Sequence, residues 1–129
     1  GDLGIPHQLT TIEAAQKMHQ SLNEEGLMIG NLISALEGEK SQMLRAEYHT
    51  LKKVFPQVYV IPVHTPSQTS IVQNQIIIAL KSEKEPQWSS PNRYYNIYLS
   101  QRYRKEIPND LPPLTDDFAP IDDYIMKML

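Results

Sequence analysis

Histidines and paired aspartates are the side chains of this sequence whose types best suit chemistry. The four histidines, His7, His19, His49 and His64, are scattered, and no two have the i, i+4 spacing that places zinc ligands on one helix face. A histidine acts as a general base only with a substrate proton within hydrogen-bond reach. The spacing therefore predicts no metal site and gives no histidine a catalytic role.

Two acidic pairs lie near the end of the sequence, Asp116 with Asp117 and Asp122 with Asp123. Neighbouring carboxylates can bind a cation or a polyamine, or share a proton, and the alternative is a solvated, turn-rich C-terminus. We assign Asp122 and Asp123 to the solvated alternative, and both interpretations stay open for Asp116 and Asp117. The sequence contains no nucleophilic serine pattern and no glycine-rich phosphate loop. We therefore predict no catalytic residue in this chain.

The composition excludes several classes of protein. With 129 residues and 40% hydrophobic content, the chain suits one domain with a modest core. A formal net charge of -3 disfavours nucleic-acid binding, so we interpret the tyrosines and arginines of residues 93–104 as a partly buried helix. The absence of cysteine excludes disulfides and thiolate metal sites. The longest apolar run, residues 76–80, is far short of the roughly 20 residues of a membrane helix, so we predict a cytoplasmic protein without membrane contact.

The first quarter of the sequence has the pattern of the second half of a βαβ unit. Thr10 and Glu13 have the spacing of a capping box at the start of an amphipathic helix, and Gly26 predicts a left-handed helix end. Residues 27–33 then form an apolar run with little alternation, which is typical of a central, parallel strand covered on both faces. No apolar strand precedes residue 5. We therefore expect the chain to be the back half of a larger sheet.

The remaining elements complete one side of such a sheet. A helix is predicted from residue 39 or 40 to Phe55, and Pro56 ends it. Strands are predicted at residues 58–63, at an edge because of Pro62, and at residues 71–80, and the two form an antiparallel hairpin. Residues 1–82 would form the sheet part of the domain. Residues 83–129 would form a proline-rich, partly helical tail that wraps over the sheet, with Tyr95, Leu99 and Tyr103 of a helix at residues 92–105 facing inward.

Several short motifs occur in a characteristic order. They are Pro6, Leu9-Thr10-Thr11-x-Glu13, Leu22-x-x-x-Gly26, Asn31, Thr50-Leu51-x-x-Val54-Phe55-Pro56-x-Val58, Asn74 and Leu114-Thr115-Asp116-Asp117-Phe118-Ala119-Pro120. Their order and spacing resemble the C-terminal half of the spermidine synthase family of aminopropyltransferases and its uncharacterised relatives. The resemblance implies an α/β fold with a partial Rossmann-like, methyltransferase-type sheet. Its three strands would be the fifth, sixth and seventh of a seven-stranded sheet that ends in an antiparallel strand.

The resemblance also implies site residues. The loop containing Ile5, Pro6 and Leu9 matches the family's segment against the cofactor adenine, and His7 in this loop is a candidate substrate-binding residue. Asn31 stands where spermidine synthases place a glutamine that faces the polyamine. An asparagine is one methylene shorter, which puts polyamine specificity in doubt. The resemblance further implies that Asp116 and Asp117 lie near the mouth of the acceptor site.

The implied parent is an S-adenosylmethionine-type transferase that moves an aminopropyl or a methyl group. Its cofactor would be S-adenosylmethionine or decarboxylated S-adenosylmethionine. The family's glycine-rich loop, ribose-binding acidic residue and catalytic aspartates belong upstream of the matched region. We therefore expect the isolated chain to bind no cofactor and to be inactive. The bare edge of the strand at residues 27–33 predicts a homo-oligomer or pairing with the missing N-terminal half. The alternative function is a non-catalytic interaction or regulatory domain that uses this half-sheet as an oligomerisation scaffold.

Overall fold

The computed structural model describes residues 9–129. Within this range, four α-helices, a short 3₁₀ turn and three strands follow in this order: α1 (Ile12–Ser21), β1 (Leu27–Ser34), the 3₁₀ turn (Glu39–Ser41), α2 (Gln42–Lys52), β2 (Gln57–Pro62), β3 (Gln73–Leu80), α3 (Arg93–Ser100) and α4 (Ile121–Met128). The fold is mixed α/β, as the sequence predicts.

The three strands form one antiparallel sheet with the order β1-β3-β2. β3 lies in the middle and runs antiparallel to both neighbours, with Ile77 opposite Gly30 of β1 and Val60 of β2. β1 and β2 are consequently parallel to each other. The predicted hairpin of β2 and β3 is confirmed, and β2 is an edge strand of this sheet, as Pro62 indicates.

β1 differs from its sequence prediction. The apolar run predicts burial on both faces, but alternate residues of β1 are exposed, and within residues 9–129 the strand pairs only with β3. Leu27, Ile29 and Ile33 lie on the outer face, where Ile29 is 63% exposed. The prediction of a covered, central strand is wrong for this part of the chain because helices α1 and α2 pack on the inner face. Leu32 is buried there, beneath α2.

The core lies between the inner face of the sheet and helices α1 and α2. The largest fully buried apolar side chains are Phe55, Leu36, Leu44, Leu51, Ile77, Leu114 and Val60. Leu44 and Leu51 lie seven residues apart, about two helical turns, so α2 presents both to the sheet. This stripe follows the predicted one, with Tyr48 half-buried at its border.

Helix α1 begins one residue later than the capping box predicts. Thr11 is the N-cap, and its Oγ1 accepts a hydrogen bond from the Ala14 N–H at 3.2 Å. The Thr10 N–H donates instead to the carboxylate of Glu47 in α2. Glu13 Oε1 accepts from the Asp116 N–H at 2.9 Å instead of reaching back to the helix start. The cap is therefore formed partly by the C-terminal tail, which local sequence spacing does not indicate.

The end of α1 also differs from the prediction. Gly26 is not left-handed, since Gly38 is the residue with positive φ in the described chain. The helix ends at Leu22, and the ammonium group of Lys81 donates to the carbonyls of His19 and Leu22, both at 2.9 Å. A cation favours the negative end of the helix dipole. A side chain at the end of β3 thus supplies the stop that the sequence assigned to glycine.

The tail divides into two parts. Residues 82–100 cross the outer face beside β2, where the Trp88 ring packs edge-on against Tyr59 with centroids 4.6 Å apart. α3 lies in this part, but it buries none of its side chains, so the prediction that Tyr95 faces inward is wrong. Residues 106–129 pack over α2 and the 3₁₀ turn and not over the sheet, with Leu114 and Tyr124 buried. α4 belongs to this second part and was not predicted.

Candidate functional site

The carboxyl end of β1 leads into a tight turn that is held from two sides. Ser34 is buried at the end of the strand, and its Oγ accepts from the Leu44 N–H of α2 at 3.3 Å. The N–H groups of Leu36 and Glu37 both donate to the carbonyl of Thr69, each at 2.9 Å. The β1–α2 turn is thereby tied to the loop before β3.

Gly38 makes the turn possible. Its φ of 87° and ψ of -165° fall in a region that is essentially restricted to glycine. The reversal brings the start of α2 beneath the turn, where the Ser41 hydroxyl donates to the Gly38 carbonyl at 2.7 Å. The turn therefore forms one wall of a concave surface.

A cavity of about 730 Å³ lies at this turn. The turn and α2 line one side, and the segment around Tyr103 to Asp110 and the end of α4 line the other. The polar side chains lining it are Glu37, Glu39, Ser41, Gln42, Arg45, Tyr103, Glu106, Asp110 and Lys127. Binding sites in open α/β sheets occur outside the carboxyl ends of strands, which is the position of this cavity relative to β1.

Glu37 and Tyr103 form the central polar contact of the cavity. The Tyr103 hydroxyl donates to Glu37 Oε2, and the Thr69 hydroxyl donates to Oε1 at 2.9 Å. These hydrogen bonds, that from Tyr103 foremost, lower the pKa of Glu37 below 4.5. Burial, together with the carboxylate, raises the pKa of Tyr103 well above 10. At neutral pH the cavity therefore presents a glutamate anion and a neutral phenol.

Arg45 supports the opposite wall. Its guanidinium donates to the Gly38 carbonyl at 3.0 Å and to Asp110 Oδ1 at 2.9 Å, and the side chain is 12% exposed. It thus joins α2 to the turn and to the tail. Because its Nε and Nη1 donors are engaged by these groups, Arg45 is suited to shape the cavity.

The charge of the lining favours a cationic ligand. Four carboxylates, Glu37, Glu39, Glu106 and Asp110, face two cations, Arg45 and Lys127. An organic ammonium ion could pair with the carboxylates that Arg45 leaves free. No group of three or more histidine or acidic side chains within residues 9–129 could hold a metal ion.

Of the residues predicted as site residues, those that the structure describes lie apart from this cavity. Ile5, Pro6 and His7 are outside the described residues. Leu9 packs partly buried against the core, and Asn31 is exposed on the outer face of β1, on the opposite side of the sheet from α1 and α2.

The acidic motif lies at the start of α1. Asp116 accepts a hydrogen bond from the Thr11 hydroxyl at 2.6 Å, and Asp117 beside it is exposed. The structure therefore brings Asp116 close to the segment of Leu9, at the N-terminus of α1. It does not bring Asn31 to the same place.

Sequence reasoning missed the residues that form the cavity. Glu37 and Gly38 lie in the short connection after β1, and a glycine in that connection is the available signal. Tyr103 is hydrogen-bonded to Glu37, and Asp110 to Arg45, although each pair is separated by more than sixty residues of sequence. No local pattern indicates such a meeting.

A second unpredicted residue is Glu47 of α2. Its side chain is 3% exposed, and its Oε1 accepts from the Thr10 N–H at 2.6 Å. Oε2 is buried and has no hydrogen-bond partner. Burial raises the pKa of this carboxyl to about 8, although the Thr10 hydrogen bonds oppose the shift. Glu47 is therefore largely protonated at neutral pH, directly beneath the segment that leads into α1.

Comparison with known proteins adds no relative: no family model, no curated protein and no solved structure matches the chain significantly. In the part of the chain that the structure describes, none of the helices has the length and apolar character needed to cross a membrane. The chemistry of the cavity and the topology of the sheet are therefore the basis for assigning a function.

Proposed function

We propose that this chain is part of a spermidine synthase-like transferase that uses an S-adenosylmethionine-type cofactor to move an aminopropyl or a methyl group, in the cytoplasm. The ordered motifs of the sequence supply the family for this proposal, and the order of the strands supports it. β1 and β2 run parallel with an antiparallel strand between them. The antiparallel strand, β3, is the last of the three in chain order, which is what the resemblance implies for this region.

The acidic cavity at the carboxyl end of β1 is the observation that carries the proposal. Glu37, Glu106 and Asp110 lie along its wall, and Tyr103 adds a hydroxyl. An amine acceptor is a cation at neutral pH, and carboxylates with a neutral phenol are the groups that bind an ammonium ion. The cavity therefore fits an amine-bearing acceptor better than it fits the nucleoside of the cofactor.

The cofactor would depend on residues beyond the described part. Of Ile5, Pro6 and Leu9, the structure describes Leu9 alone, and it packs toward the core. Binding energy for a nucleoside comes from a largely enclosed pocket. We propose that the isolated chain has no activity and binds S-adenosylmethionine or its decarboxylated form more weakly than submillimolar, which calorimetry measures directly.

Spermidine is expected to bind the isolated chain weakly at the acidic cavity. In ¹⁵N-labelled protein, titration should shift the amide signals of the turn, including Glu37 and Gly38. The double variant Glu37→Gln, Glu106→Gln should weaken binding about fivefold, because each exposed ion pair contributes up to about 1 kcal/mol.

The matched control is Glu83→Gln, which removes an exposed carboxylate on the surface turn after β3. It should leave the spermidine affinity unchanged. Circular dichroism of each variant verifies the fold. Equal affinity of the double variant and the control, or spermidine-dependent shifts that avoid the turn, would contradict an acceptor site in this cavity.

A second candidate function is a non-catalytic interaction or regulatory domain that uses the half-sheet as an oligomerisation scaffold. The open outer face of β1 favours it. No charged residue and no proline occur in Leu27–Ser34, so this edge carries none of the usual devices that block strand pairing. Its main-chain groups could pair with the same strand of a second copy, or with a missing N-terminal half.

Oligomerisation through β1 is expected to disappear in Ile29→Lys. The new ammonium group would lie on the exposed face of the strand, where a lysine hinders pairing of edges at little cost to the fold. Light scattering coupled to size exclusion should show an oligomer for the original chain at micromolar concentration and a monomer for the variant. Ile97→Lys, which adds the same charge on exposed α3, is the control and should remain oligomeric. A clean monomer of the original chain would rule out this candidate.

A further inference from the structure

A smaller cavity of about 330 Å³ lies at the free edge of β2. Val58, Tyr59 and Val60 of the strand line one side, Tyr48 of α2 lines another, and the segment of residues 102–107 closes it. Tyr103 borders both this cavity and the acidic one. The two differ in the sign of their charge.

The side chains of the smaller cavity are cationic. Arg102, Arg104 and Lys105 contribute three positive charges, and the lining includes no carboxylate. The ammonium group of Lys105 lies 3.8 Å from Glu37 Oε2, at the border with the acidic cavity. Arg104 is exposed. The lining itself is therefore cationic while the chain as a whole has a net charge of -3. Two carboxylates lie beside it: Glu37 next to Lys105, and Glu85, whose Oε1 accepts from the Trp88 indole N–H at 3.3 Å.

Arg102 is held rigidly in this cavity. Its guanidinium carbon lies 4.1 Å from the centroid of the Trp88 ring, and that ring packs against Tyr59. Stacking on an aromatic face fixes the plane of a guanidinium. Arg102 Nη1 is buried and has no hydrogen-bond partner. A buried, charged donor without an acceptor is unfavourable unless a ligand completes it.

The edge of β2 adds main-chain donors. The Val60 carbonyl accepts from the Tyr103 N–H at 2.8 Å, on the side of the strand that faces away from β3. In an antiparallel pair the N–H and C=O of one residue point to the same side, and residues two apart share that side. The N–H groups of Val58 and Val60 therefore point toward the cavity edge. Guanidinium and main-chain N–H donors together are suited to an oxyanion.

We propose that this cavity binds a small molecule through an oxyanion, a phosphate or a carboxylate, with Arg102 as its anchoring residue. Its volume exceeds that of the anion alone, so a small organic group fits beside Tyr48 and Tyr59. This inference does not depend on the proposed transferase function, because it concerns a different cavity with the opposite charge.

The single tryptophan of the chain reports on this site, since Trp88 lies directly against Arg102. Its fluorescence is measured during titration with sodium phosphate and, separately, with sodium citrate, at an ionic strength held constant with sodium chloride. A saturable change with either anion is expected. Saturation with phosphate alone assigns a phosphate ligand, and saturation with citrate alone assigns a carboxylate.

The variant Arg102→Met keeps the apolar stem and removes the guanidinium, and it should weaken binding at least about tenfold. Arg93→Met, which removes an exposed guanidinium from α3, is the control and should bind as the original chain does. Circular dichroism monitors the fold. If Arg102→Met fails to fold, the double variant Arg104→Gln, Lys105→Gln replaces it and should weaken binding about threefold. The proposal is overturned if neither phosphate nor citrate changes the Trp88 fluorescence more than sodium chloride does. It is also overturned if Arg102→Met, or the double variant that replaces it, binds the anion with unaltered affinity.

Discussion

Replacing Glu47 with glutamine is expected to stabilise the protein by about 1–3 kcal/mol at pH 7. The carboxyl is buried at 3% exposure, and the Thr10 N–H is its one clear hydrogen-bond donor. Its pKa is raised from 4.5 to about 8, principally by burial. Folding at neutral pH must therefore bind a proton, and that requirement reduces the free energy of unfolding. A glutamine is neutral already and still offers an oxygen to Thr10, although its buried amide N–H₂ offsets part of the gain.

The direction of the pH dependence follows from the raised pKa. Between pH 4.5 and about pH 8 the folded state holds more protons at Glu47 than the unfolded state does, so stability from this group falls as the pH rises through that range. The stability that this group contributes is fully present below pH 4.5. Above about pH 8 both states are deprotonated, and the accumulated loss is on the order of 5 kcal/mol. The Glu47→Gln variant should lack this slope.

Urea unfolding followed by circular dichroism at pH 5, 7 and 9 measures the effect. The control is Glu37→Gln, because hydrogen bonds from Tyr103 and Thr69 lower the pKa of Glu37 instead of raising it. Glu37 contributes stability that is present above pH 4.5 and is lost as the pH falls, so its replacement should destabilise at pH 7. Parallel pH profiles for the Glu47→Gln variant and the original chain would show that Glu47 is ionised in the fold.

The sequence predicts elements well where the cause of an element is local. The apolar stripe of Leu44 and Leu51 predicts α2, and Pro56 limits where that helix can end. Pro62 predicts an edge strand for β2, because a residue without an N–H cannot complete a ladder on both sides. The hairpin of β2 and β3 follows from two β-branched runs joined by a turn-rich loop. Each of these depends on neighbours in sequence.

The prediction of the strand environment failed where the cause lies in another part of the chain. The apolar run of β1 is typical of a strand covered on both faces, yet Ile29 is exposed because helices α1 and α2 lie on the other side. Gly26 has the right spacing to end α1, yet Lys81 from β3 supplies the stop. The periodicity of a segment shows which of its residues are apolar. The periodicity does not show which distant segment covers those residues in the fold.

The candidate site was missed for the same reason. Glu37 is a site residue because it is hydrogen-bonded by Tyr103, which lies 66 residues later in the sequence. Arg45 is a site residue because it pairs with Asp110, which lies 65 residues later. Glu47 looks like an ordinary exposed residue of an amphipathic helix until the segment of Thr10 covers it. For Glu37 and Arg45 the chemistry depends on a tertiary contact that the tail makes.

The tail should therefore be an integral part of the fold, and Leu114→Ala is expected to destabilise the protein by about 2–5 kcal/mol. Leu114 is completely buried between α1 and α2. Its N–H donates to the Thr50 hydroxyl at 2.9 Å, and its carbonyl accepts from the Ile12 N–H at 2.8 Å. Truncation leaves a cavity at the point where three segments meet, and the rigid main chain around it cannot collapse to fill the space.

Urea unfolding gives the loss of stability, and hydrogen exchange of the Ile12 amide, which donates to the Leu114 carbonyl, reports whether the tail stays in place. Phe118→Ala is the matched control, since Phe118 belongs to the same turn but is 48% exposed, and its loss should cost less than about 1 kcal/mol. A cost below that level for Leu114→Ala, with unchanged exchange at Ile12, would mean that the tail packs loosely. In that case Asp116 would not be fixed at the start of α1, and the walls that Tyr103 and Asp110 give to the acidic cavity would depend on their own hydrogen bonds alone.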